Sequence, residues 1–424
     1  MSLPKPVRTH LLTMAWVGLV CLVVHLPALR APFIWDDFET VVQNRRMQEP
    51  GQLLRYFDLR HWRESHPVLR SPYRPARELI LGAIRQAFGP DAKAFHAMNL
   101  AGHTVNALLV YVVALLLSGS RPAAVVGSLV FALHPSHVEV VAWTKNLGEI
   151  VCVLFALLSV AAFARLAQAI GQRVSGRAWA WAAACAACFA LALLAKESAL
   201  AVPLILAAWA LARFRGRVLR LALAHAAILG LMACVYLALQ LASQELAGRA
   251  EMAQWVVPSS PALRVFLVLK TVARYAGMLL FPIWHAPWHD FRLSGGEPWP
   301  QHAAVVAAVL GIGLAWLWAV RRRPDAALGL FWAMAAMGPA SNIKVNAGRP
   351  LAEQRLYLPS VGFALAAAAL LVPLMAARTR RAWANRLLAA LCAVYGVLQL
   401  AGLNDWRSER DLWRRSVRFS PSHG

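Results

Sequence analysis

Eleven stretches of the sequence are apolar over roughly the 20 residues that an α-helix needs to cross a bilayer core of about 30 Å. They run from about 11 to 29, 97 to 117, 122 to 143, 150 to 168, 178 to 195, 198 to 212, 221 to 241, 303 to 320, 325 to 341, 358 to 376 and 386 to 403. Inside hydrocarbon every backbone N–H and C=O must find its partner within the chain, which leaves helices as the economical solution for single apolar runs of this length. Composition agrees: 59% of the 424 residues are hydrophobic and 15% charged, against about 25% charged in ordinary soluble domains. The expected fold is an all-α polytopic membrane protein. Its first run has a basic flank in Lys5 and Arg8 and ends at His25 and Pro27 without a small-residue cleavage site, so it is expected to stay as an anchor.

Basic residues set the orientation, because cytoplasmic loops retain them. A formal charge of +23 on a soluble chain would point to nucleic acid, but here arginines cluster in short segments beside the apolar runs: Arg121; Arg165, Arg173 and Arg177; Arg213, Arg215, Arg217 and Arg220; Arg321 to Arg323; Arg378, Arg380, Arg381 and Arg386. No nucleic-acid partner is expected. All these clusters fall on one side if residues 263 to 282 do not cross. That segment carries Arg264, Lys270 and Arg274 in an apolar run and suits an interfacial or re-entrant helix. The expected layout is a membrane domain over 1–403 with its N-terminus cytoplasmic and an extracytoplasmic tail over 404–424. Further extracytoplasmic loops cover 30–95, 134–149, 242–302 and 342–357.

The six cysteines all lie in apolar runs, so no disulfide framework or zinc site is expected, and Cys185-x-x-Cys188 reads as two small residues of one helix. No inverted repeat of the transporter type is visible. The polar residues that are not merely basic gather in the extracytoplasmic loops, the first of which holds Asp36, Asp37, Glu39, Asp58, Glu64, Glu78 and Asp91. Adjacent carboxylates in turn or extended backbone point different ways, so one of Asp36 and Asp37 can face a site while the other caps or orients; the bland reading is an Asx turn after a span. His96, Asn99, His103 and Asn106 step by three, four and three and share one helix face, which must look into the bundle. His134, His137 and Glu139 lack the i, i+4 histidine pair of a zincin, which favours a substrate-side role over a metal site. Lys196 beside Glu197 reads first as an ion pair closing a tight hairpin.

Several motifs occur together in a fixed order: WDD at Trp35 to Asp37 with Asn44 beyond, SPYRP from Ser71, FHAMNLAGHTVNALLVY from Phe95, FALHPSHVEVVAW from Phe131, AKES from Ala195, EQRLYLPSVG from Glu353, and WRSERDLWRRSVRFSP from Trp406. In these the chain resembles the GT-C class of integral-membrane glycosyltransferases, most closely the transmembrane and tetratricopeptide-repeat O-mannosyltransferases and their bacterial relatives. The resemblance implies transfer of a sugar, a mannose-like hexose, from a polyprenyl-phosphate donor to a hydroxyl acceptor, protein Ser/Thr or a glycan, with no cofactor beyond that donor substrate. It also implies helical repeats after the Trp406 segment, whereas this sequence ends at Gly424. The partners implied are membrane lipid, the lipid-linked sugar and the acceptor.

Such a transfer needs a base near the acceptor oxygen, and the resemblance assigns it to Asp36, with Asp37 beside it. The donor phosphate needs cations, for which arginine is the geometric match. Arg355 and Arg349, with Lys344 nearby, precede a span in which Pro359 suits the first turn, placing Tyr357 close to a helix N-terminus. Arg74 and Lys196 are further phosphate candidates. His96, His134, His137, Glu139 and Tyr357 form the expected substrate pocket, with no metal. An arginine- and alanine-rich composition favours a bacterial source, and hence an inner-membrane protein with its site facing the periplasm. A transporter or flippase of a lipid-linked or small polar substrate is the rival class, but it needs polar gates toward both faces and the cytoplasmic loops offer little except arginine; a non-catalytic scaffold, the third, needs no acid pair.

Overall fold

The computed structural model describes residues 5–60, 62, 72–245, 255–256, 260–283, 286–293, 299–343, 345–346 and 349–419. Lys344, Glu64 and Ser71 lie outside them. The described chain is almost wholly helical: α1 Lys5–His25, α2 Pro75–Phe88, α3 Ala92–Ser118, α4 Arg121–Leu133, α5 Val138–Ala142, α6 Leu147–Gly171, α7 Ser175–Ala195, α8 Val202–Arg213, α9 Gly216–Glu245, α10 Pro261–Leu280, α11 Trp299–Arg322, α12 Pro324–Met337, α13 Tyr357–Ala376, α14 Arg381–Asp405 and α15 Glu409–Phe419. A two-residue antiparallel pair, Trp255–Val256 with Val345–Asn346, ties the 242–302 loop to the 342–357 loop.

Among the described residues eight helices are long and apolar enough to cross a membrane, and nine if α4 and α5, bent by 51° at a short break, are taken as one span. Two of the eleven expected spans differ in length. The 198–212 run is a 12-residue helix after a 3-10 turn, and the 325–341 run a 14-residue helix before one. Proline explains both, since Pro203 and Pro324 open α8 and α12 and Pro339 closes the turn after α12. The α10 segment is a 20-residue helix whose Lys270 donates to the Arg292 carbonyl and sits over the Phe291 ring, so its charge is met inside the protein.

Turn chemistry fixes the hairpins. Gly119 takes a left-handed φ of 65° to end α3, donating to the Leu115 carbonyl, and Ser120 then caps α4 by accepting from Ala123 N. Where α4 meets α5, Pro135 removes a donor, and the freed groups are held from elsewhere: Gln399 of α14 donates to the His134 carbonyl at 2.7 Å. The core lies between α3, α4, α6, α7, α12 and α13. At the α12–α13 crossing, a Cβ built on Gly362 would stand 2.5 Å from Ala333 N and from the Gly329 carbonyl oxygen, so the two backbones touch through glycine alone. α15 folds back over the 33–37 segment.

Candidate active site

The site is built where the first loop leaves α1. Trp35 adopts φ 56°, a left-handed backbone that a bulky residue takes only when its surroundings impose it. The surroundings are identifiable. Its ring stacks on Trp143 at 4.9 Å and 6°, Trp413 of α15 meets it edge-on at 5.1 Å, and its backbone N–H donates to Glu409 Oε1 at 3.2 Å. This kink separates the two aspartates that follow. Asp37 is fully buried, accepting from Ile34 N at 3.2 Å and Lys145 N at 3.1 Å. Asp36, with 32% of its side chain exposed, forms an ion pair with Lys145 Nζ. One lysine is thus held by its backbone to one carboxylate and by its ammonium to the other. Burial pushes the Asp37 carboxyl up to about 7, against the lowering effect of its two backbone donors and the Lys145 charge.

Lys145 was not among the residues singled out from the sequence. It is a basic residue in the 134–149 loop, a few positions after the His137 and Glu139 that were singled out. It lies at the entrance to α6, with its ammonium 4.2 Å from the Trp143 ring centroid. Beside it Arg349 lays its guanidinium 5.2 Å from both the Trp35 and Trp143 rings, pairs with Glu139 at 2.9 Å, and donates to the Pro287 carbonyl. Asp36, Asp37, Lys145, Arg349 and Glu139 therefore share one tryptophan platform.

Arg355 stands directly behind. Its guanidinium donates to the carbonyls of Pro350 at 2.9 Å and Arg349 at 3.0 Å, which fixes the loop carrying Arg349. Arg355 forms no ion pair with a carboxylate among the described residues. Glu353, two residues earlier, accepts from Ala286 N and His289 and so anchors the 286–289 segment to the same loop.

Arg74 and Lys196 belong to a neighbouring, neutralised cluster. Arg74 grips Glu197 with two bonds of 2.9 and 2.5 Å, Lys196 reaches Glu149 at 2.6 Å, and Arg77 pairs with Glu78. The pair expected within Lys196–Glu197 is replaced by two crossed pairs, because adjacent side chains leaving α7 point apart. Burial would raise the Glu197 carboxyl, but the Arg74 charge and its bidentate bond more than offset this and hold it at about 2. The cluster abuts α6 closely: a Cβ on Gly148 would meet Arg77 Cδ at 2.9 Å.

Of the expected pocket residues only Glu139 joins the platform. His96, His134, His137 and Tyr357 have no exposed surface, and the last three serve as ties inside the bundle. Tyr357 Oη bonds His103 Nδ1 at 2.8 Å and Asn106 Nδ2 at 3.1 Å, His137 bonds Ser360 at 2.9 Å, and His134 reaches the Leu279 carbonyl of α10 at 3.0 Å. A cavity of about 190 Å³ lies elsewhere, lined by Trp209, Arg213, Asp325 and Trp332 near helix ends on the arginine-rich side. Its lining is mostly apolar, with Ser118, Ser120 and the Arg213–Asp325 ion pair as the polar part.

No family model matches the sequence. Among curated proteins, the chain is 26% identical over 204 residues to the human protein O-mannosyl-transferase TMTC4, covering 44% of this chain and 27% of that protein. It is 26% identical over 183 residues to human TMTC2, covering 43% and 22%, and 29% identical over 153 residues to Tmtc1 of Drosophila melanogaster, covering 34% and 18%. The aligned part thus spans about a quarter of the length of these relatives. Among solved structures, the oligosaccharyltransferase of Archaeoglobus fulgidus, in complex with zinc and sulfate, superposes with a TM-score of 0.52 at 15% identity, over 92% of this chain and 53% of that one. The chain has the GT-C fold and is related in sequence to the TMTC proteins. In this GT-C frame the acid pair follows the first span, and α15 lies over the adjoining Trp35. The exposed carboxylate of the pair faces the chain's own cation, Lys145.

Proposed function

We propose that the protein is a membrane glycosyltransferase that moves a hexose, mannose or a close relative, from a polyprenyl phosphate to a hydroxyl of protein Ser/Thr on the extracytoplasmic face, in a bacterial inner membrane. The names of its relatives support a transferase over a transporter. The observation that carries the reading is a single one: a part-exposed carboxylate, Asp36, held by Lys145 on a tryptophan platform that also seats Arg349.

The chemistry follows from those groups. The acceptor hydroxyl attacks the anomeric carbon, the bond from that carbon to the phosphate oxygen breaks, and polyprenyl phosphate leaves with the electron pair. The hydroxyl proton passes to Asp36. Lys145 positions Asp36 through its ion pair, and Asp37, locked on two backbone N–H groups, fixes the turn that aims it. Arg355, whose charge is not cancelled by a carboxylate among the described residues, is proposed to face the donor phosphate, with Arg349 set beside it. Lys145 and the arginines supply positive charge in this scheme. Trp35, stacked on the buried Trp143, is the part-exposed ring of the pair and the one a sugar could meet.

Purified protein incubated with polyprenyl-phosphate mannose and a Ser/Thr peptide should release polyprenyl phosphate and glycosylate the peptide. Release with no glycosylated acceptor would remove the peptide as acceptor, and no release with any polyprenyl-phosphate hexose would end the reading.

A further inference from the structure

The end of α1 and the middle of α3 bring a thiol and two imidazoles together away from the tryptophan platform. Cys21, His25 and His103 are fully buried, and one ligand atom from each lies within 4.8 Å of the others. We infer that Cys21, His25 and His103 form a binding site for one monovalent soft cation, Cu⁺. The surroundings prepare each group for this. His25 Nδ1 is bonded to the Cys21 carbonyl oxygen at 2.9 Å while its Nε2 has no partner, so the ring donates to backbone and presents a free lone pair. His103 Nε2 is bonded to the Ala132 carbonyl at 3.1 Å, which leaves Nδ1 as the basic nitrogen, now receiving the Tyr357 hydroxyl. Thr104 donates to Cys21 Sγ at 3.7 Å. Backbone carbonyls that fix the tautomer of a ligating histidine are the usual outer shell of a metal site.

Charge selects the ion. A thiolate with two neutral imidazoles carries one negative charge, so a monovalent cation gives a neutral site, whereas a divalent one would bury a net positive charge within the helix bundle. Thiolate and imidazole are also soft enough for Cu⁺, and three ligands suit it. With metal–ligand distances of about 2.0 to 2.3 Å, the donor atoms need to close by less than about an ångström. Binding replaces the Cys21 S–H bond by an S–Cu bond, and the proton leaves to solvent; Asn106 continues to hold the Tyr357 hydroxyl when His103 Nδ1 turns to the ion. The ion would pin α1 to α3 one turn before the 3-10 segment Leu26–Arg30 that leads to Trp35.

The test uses the full chain in detergent, stripped with chelator and loaded with Cu⁺ under anaerobic reducing conditions, with bound metal measured by mass spectrometry after gel filtration. The wild type and Cys392→Ser should each retain about one copper per chain and Cys21→Ser less than about a tenth of that. X-ray absorption of loaded wild type should show one sulfur and two nitrogens, a readout that stands even where Cys21→Ser fails to fold. No retention by folded wild type, equal retention by Cys21→Ser, a shell without sulfur, or retention of Zn²⁺ in preference to Cu⁺ would each overturn the inference.

Discussion

At the scale of single residues, Asp36 and Asp37 are neighbours with opposite fates, and the difference is written in their partners. Asp36→Asn keeps the shape but cannot take the acceptor's proton, so turnover should drop by about 10² to 10⁴ while donor binding and thermal stability hold; normal turnover in folded protein would send the search for the base to another carboxylate. Arg355→Ala should weaken donor binding by about 1.5 to 3 kcal/mol, the range of a charge-assisted hydrogen bond, measured by titration with the polyprenyl-phosphate sugar. Asp37 makes a different kind of statement. Its carboxyl titrates near 7 in the folded chain because it is buried, well above the ordinary carboxylate range. Between the unfolded value near 4 and the folded value the native state therefore holds the extra proton, and stability falls as pH rises through that window. Thermal unfolding of wild type should drop in midpoint from pH 5 to pH 8, and Asp37→Asn should flatten that slope; identical slopes would show that the proton sits elsewhere.

At the scale of elements, two contacts decide how helices meet. The α12–α13 crossing depends on Gly329 and Gly362, where any side chain would strike backbone. Gly362→Val should therefore destabilise the protein by at least about 1–3 kcal/mol, seen as a lower unfolding temperature in detergent, while Gly311→Val, on a face of α11 with open space around it, should leave it unchanged. The histidine face of α3 was legible as a stripe of polar residues at helical spacing, and the structure uses it to bind α1, α4 and α13 together. Its partners were not legible, since a periodicity tells which face looks inward but not what it meets.

For the whole molecule, the arginine asymmetry predicts the N-terminus on the cytoplasmic side and the platform on the other. A single cysteine placed near Trp288, in a variant otherwise free of reactive thiols, should be modified by a membrane-impermeant reagent from outside the cell; labelling only after the membrane is breached would reverse the topology.

The linear pattern already held the material of the fold: apolar runs of spanning length force helices because hydrocarbon satisfies no backbone group, and the order of short motifs carried the likeness to the GT-C enzymes. The WDD stretch was visible as an acid pair, and that its two side chains would part was legible from backbone alternation. Which charges are spent was settled in three dimensions. Lys145 reaches Asp36 from 109 residues away, Glu139 meets Arg349, and Arg74 is consumed by Glu197, so among the described residues Arg355 keeps its charge free of a carboxylate. Such pairings depend on where bends and caps aim side chains from distant helices, and a linear pattern does not encode that distance.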